Sequence, residues 1–65
     1  MTQLEVLQTM EDKTFYSDSF GEEEVTVMRG HNIYYTLGKK SNAMIGIVPQ
    51  EVKYLFQDYK KYYLK

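Results

Sequence analysis

The sequence predicts one small α+β domain, an antiparallel meander of three to four strands packed by a C-terminal helix. Two observations lead there. Runs of β-branched and aromatic residues are divided by Gly21, Gly30, Gly38 and Gly46, eight or nine residues apart, which suits hairpin punctuation. After Pro49 the pattern changes to a helical stripe.

Residues 2–11 carry two signals. Leu4 and Val6 alternate as in a strand, whereas Thr2 and Glu5 match a capping box. Leu4, Val6, Leu7 and Met10 would share an arc of about 160° on a helix, and the richness in Gln, Glu, Leu and Met leans towards the helix. A strand is expected over about 14–20, where polar and apolar residues alternate up to Gly21. Strands at about 24–29 and 32–37 form a hairpin around Arg29, Gly30, His31 and Asn32, because Val25, Thr26 and Val27 and then Ile33, Tyr34 and Tyr35 suit a pleated surface. Past a loop at 38–42, the apolar run over about 43–48 is short enough for a buried strand.

The final helix is expected over about 49–63. Pro49 suits the first helical position, whose N–H has no helical partner in any case. Val52, Leu55, Phe56, Tyr59, Tyr62 and Tyr63 fall within about 120° at 100° per residue and so face a core. Ile47 and Val52 have the spacing of a hydrophobic staple. Glu51 lies at the positive end of the helix dipole, and Lys60, Lys61 and Lys65 lie at the negative end. Val48, at the N-cap, has no side-chain acceptor.

Composition bounds the rest. The 65 residues make a single domain over 1–65 with no linker, and 43% apolar content is more than a disordered chain carries. A chain this short buries only about 60% of its unfolded surface. It holds no cysteine and one histidine, His31, so neither a disulfide nor an ordinary zinc site is expected, and no cofactor is implied. No apolar run approaches the roughly 18 residues of a membrane span, and the N-terminus lacks a signal peptide's basic flank, so the expected location is cytoplasmic, away from membranes. The net charge of −1 hides an uneven distribution. Residues 1–24 hold seven acids against Lys13, whereas residues 25–65 hold seven bases against Glu51 and Asp58.

Catalytic constellations are not expected. His31 falls in a hairpin turn, where it is read as solvated. Glu22, Glu23 and Glu24 form a run beside a glycine rather than opposing carboxylates, and are read as a solvated acidic loop. The glycines are too dispersed to cradle a phosphate. The chain is therefore expected not to be an enzyme.

Two surfaces are candidates for protein binding. Tyr34 and Tyr35 are adjacent on a strand and must point to opposite faces, so one of them faces away from the core; cover by a second layer such as the N-terminal segment is the favoured arrangement. On the helix, Tyr54, Asp58, Lys61 and Lys65 follow one another at spacings that form an outward stripe. The leading functional expectation is a protein-binding module that inhibits or modulates a larger protein, of the kind a phage or other mobile element encodes. One alternative is nucleic-acid binding through Arg29, Lys39, Lys40, Lys53, Lys60 and Lys61, which are interleaved with aromatics. Another is a homodimer in which the acidic part of one chain meets the basic part of the next.

Overall fold

In the computed structural model, which describes residues 2–65 and leaves Met1 outside, the chain begins with a helix, α1 (Gln3–Met10). It starts there because the capping box forms. Thr2 Oγ1 accepts from the Glu5 N–H at 3.2 Å, and a Glu5 carboxylate oxygen accepts from the Thr2 N–H at 2.8 Å. The hydrogen bonds from Thr2 hold the Glu5 carboxyl below the usual range. Of the two readings of residues 2–11, the helix is the one formed.

Four strands follow: β1 (Thr14–Ser17), β2 (Glu23–Arg29), β3 (Tyr34–Gly38) and β4 (Met44–Gly46). They pair antiparallel in sequence order, with Phe15 opposite Val25, Val27 opposite Thr36, and Thr36 opposite Ile45. A 3-10 turn at Pro49–Glu51 leads into α2 (Val52–Tyr62). The helix predicted from residue 49 therefore opens with a tighter turn. Val48 caps it with extended backbone and no side-chain bond. Ile47 and Val52 are both buried, as the staple spacing requires.

Both helices lie on one face of the sheet. Met10 of α1 and Val52, Leu55 and Tyr59 of α2 form the core with Phe15, Val25, Val27 and Tyr34, joined by Phe20 and Ile47. Phe15 meets Tyr59 edge to face at 5.4 Å between centroids, an arrangement the ring quadrupoles favour.

Several boundaries differ from the sequence reading, each for a local reason. β1 ends at Ser17 rather than 20, because the Phe20 N–H donates to Ser17 Oγ at 3.0 Å and the Ser19 N–H donates to Asp58 at 3.1 Å, which turns the chain inward. β3 begins at Tyr34 rather than 32, since the Gly30 N–H to Ile33 C=O bond uses residues 30–33 as the turn. The run over 43–48 reads in the sequence as a buried strand. Its core is the three-residue edge strand β4, exposed throughout, because no element covers its outer side; only Ile47 is buried.

Candidate functional site

Cross-strand partners share a face of the sheet, and the register sorts the residues into two sets. Phe15, Val25, Val27, Tyr34 and Thr36 face the helices. On the opposite face, Thr14, Thr26, Leu37 and Met44 form one row across all four strands, and Met28, Tyr35 and Gly46 form a second. Tyr16 and Glu24 make a third row near the β1 edge. Among the described residues, no helix covers this face. The solvated face of an antiparallel sheet is ordinarily polar, but here Met28, Tyr35 and Leu37 are only half shielded by their neighbours in the sheet and Met44 is 66% exposed. Ile33, 50% exposed, extends the apolar area: a Cβ on Gly46 would meet Ile33 Cδ1 at 3.3 Å.

The face is graded. Its apolar end is built from Met28, Ile33, Tyr35 and Met44. Towards the middle, the Thr14 and Thr26 hydroxyls bond to each other at 2.7 Å. Its charged end is the Glu24–Lys39 ion pair, 3.5 Å, beside Tyr16. Tyr16 in turn packs edge to face with Tyr62 at 5.1 Å.

The candidate residues divide accordingly. Tyr35 lies on the open face, and the second layer expected over it is missing, since α1 packs on the opposite side. Tyr34 is withdrawn into the core, its hydroxyl donating to Glu11 at 2.9 Å. Burial first, and the Glu11 carboxylate second, push its pKa upwards. The outward stripe on α2 is broken, because Asp58 is only 6% exposed and accepts from Ser17 Oγ at 2.8 Å. Tyr54 remains 47% exposed, with the Lys53 ammonium 5.0 Å from its ring centroid. Lys61 stands 3.6 Å from Asp18, which also accepts from the Tyr62 hydroxyl. Lys65 is exposed beyond the helix end.

The basic residues do not converge. Arg29 ends β2, whereas Lys39 and Lys40 follow the far end of β3, and Lys53, Lys60 and Lys61 ride on α2, Lys60 being 4.9 Å from the Phe56 ring. The acidic run also departs from a solvated loop. Glu23 accepts from the Lys40 N–H and the Ser41 N–H, each at 2.9 Å, and from the Ser41 hydroxyl, so it fastens the β3–β4 loop. These bonds, the Ser41 hydroxyl first, hold its carboxyl below the usual range. Gly38 gives the carboxylate room: a Cβ there would come within 2.6 Å of Glu23 Oε2.

Met28, Ile33, Leu37 and Met44 were not singled out by sequence reasoning. Their signal was in the pattern: consecutive apolar residues such as Val27 with Met28, and Tyr34 with Tyr35, place apolar groups on both faces of a strand. No family model, curated protein or solved structure matches the chain.

Proposed function

We propose that the chain is a non-enzymatic protein-binding module, modulating or inhibiting a larger protein, and that it docks through the uncovered face of its sheet. The observation that carries this reading is the apolar row structure of Met28, Tyr35, Leu37 and Met44 on the face that neither helix covers. Apolar and aromatic area bordered by polar and charged groups is the usual anatomy of a protein interface. The fitting partner presents an uncharged apolar area opposite Met28, Tyr35 and Met44, hydrogen-bonding groups opposite Thr14 and Thr26, and charged groups only near Glu24 and Lys39. A polyanion does not fit that description, since Lys39 is paired with Glu24, and Glu22 and Glu23 lie beside Lys39 and Lys40.

The test compares partner capture by the wild-type protein, Tyr35→Ala, Met28→Thr and Tyr54→Ala, with nuclease present. Loss of a stoichiometric partner, by at least about tenfold in affinity, is expected for the two sheet-face variants and not for Tyr54→Ala. Capture lost only with Tyr54→Ala would move the interface to α2. Bound material that nuclease removes would favour the nucleic-acid reading.

A further inference from the structure

We propose that the chain forms a two-fold homodimer by antiparallel pairing of β4 with β4 of a second copy, centred on Ile45. The Gly38 N–H donates to Ala43 C=O at 2.8 Å, and the Ile47 N–H donates to Tyr34 C=O at 2.9 Å. In an antiparallel ladder every second residue turns its main-chain groups to the neighbouring strand. Ala43, Ile45 and Ile47 therefore face β3, and Met44 and Gly46 turn their N–H and C=O groups outward at the edge of the sheet. Natural edges are protected by charge, proline or a covering element. Residues 43–48 contain no charged residue and no proline, and β4 is exposed at every position. At the opposite edge, α2 packs against β1 and Tyr62 bonds to Asp18.

A second copy suits this edge in its main-chain pattern and in its lack of charge. Antiparallel pairing centred on Ile45 sets each Met44 opposite Gly46 of the other copy, so the outward groups of both residues close about four main-chain hydrogen bonds. On the open face, the Met44 side chain, 66% exposed, comes to lie against the half-exposed Ile33 that covers Gly46 of the copy. On the helix face, Ile45, 39% exposed, meets its own equivalent on the two-fold axis. The centre carries no charge, so the two-fold axis brings no like charges together. The result is a continuous eight-stranded sheet. The contact runs along the edge of β4 and shares Met44 and Ile33 with the open face, but it does not depend on a partner protein docking over Met28, Tyr35 and Leu37.

Sedimentation of the full chain from about 1 µM to about 1 mM tests this. The wild type is expected to double in mass across that range. Ile45→Lys and Ile45→Glu each place like charges opposite one another, so each alone is expected to associate at least about tenfold more weakly. Mixed in equal amounts, they are expected to recover the dimer. Circular dichroism reports whether each variant is folded; should the Ile45 variants unfold, Met44→Lys, at a position already exposed in the monomer, is expected to abolish the dimer in their place. The proposal is overturned by a wild type that stays monomeric throughout, by folded variants that still dimerise, or by a Lys–Glu mixture that remains monomeric.

Discussion

Asp58 stands about 40° from both Tyr54 and Tyr62 on the wheel of α2, on the border between the outward stripe and the apolar one. The fold takes it inward, where its carboxylate accepts from the Ser17 hydroxyl and the Ser19 N–H and ties α2 to the end of β1. Its spacing from Lys61 and Lys65 made it look like a surface residue; the signal for burial lay in Ser17 and Ser19, distant in sequence, so no local pattern contained it. Asp58→Ala leaves those donors without a partner and is expected to cost about 3 kcal/mol in urea unfolding, with Asp58→Asn costing less because an amide oxygen can still accept. An unchanged midpoint in Asp58→Ala would show the bonds contribute nothing. Glu23 makes a pH-dependent contribution. Its folded pKa is depressed below an unfolded value of about 4.3, so its stabilisation is complete above that value and fades as pH falls through the folded pKa. Removing the carboxylate in Glu23→Gln is expected to flatten the acid limb of the stability curve; equal acid slopes for variant and wild type would contradict the bonding of Glu23 to Ser41.

At the level of elements, most of the architecture was legible: the capping box that starts α1, the glycine-divided meander, the staple of Ile47 on Val52 and the apolar stripe of α2. Thr2→Ala, which removes the cap acceptor, is expected to destabilise the protein by about 1 kcal/mol, read from its thermal midpoint. Gly30→Ala should cost more, about 2 kcal/mol, because a Cβ there would stand 2.6 Å from the Ile33 carbonyl oxygen that closes the β2–β3 turn. A variant as stable as the wild type would mean the turn relaxes without loss. What periodicity does not contain is position within the sheet. An uninterrupted apolar run reads the same in a central strand and at an edge, and β4 is apolar yet exposed because, among the described residues, it pairs with β3 alone. The same limit applies to Tyr34 and Tyr35: alternation separates them, but only the packing of both helices on one side decides which is enclosed.

Across the whole molecule, the uneven charge of the sequence is partly matched by contacts between its two parts. Glu24 pairs with Lys39 and Asp18 with Lys61, so acids from the first part of the chain are matched by bases from the second at short range. What remains distinctive is shape: two helices can roof only one side of a four-stranded sheet. The order of the strands has a further consequence, in time rather than in space. Each strand pairs with its neighbour in the chain, so the sheet can assemble from hairpins without large loop closures. The exception is α2, which reaches back to β1 through Asp58, 41 residues from Ser17. If that closure follows the rate-limiting step, Asp58→Ala will speed unfolding and leave refolding nearly unchanged in stopped-flow traces. Slower refolding at a constant unfolding rate would instead place the docking of α2 within the folding nucleus.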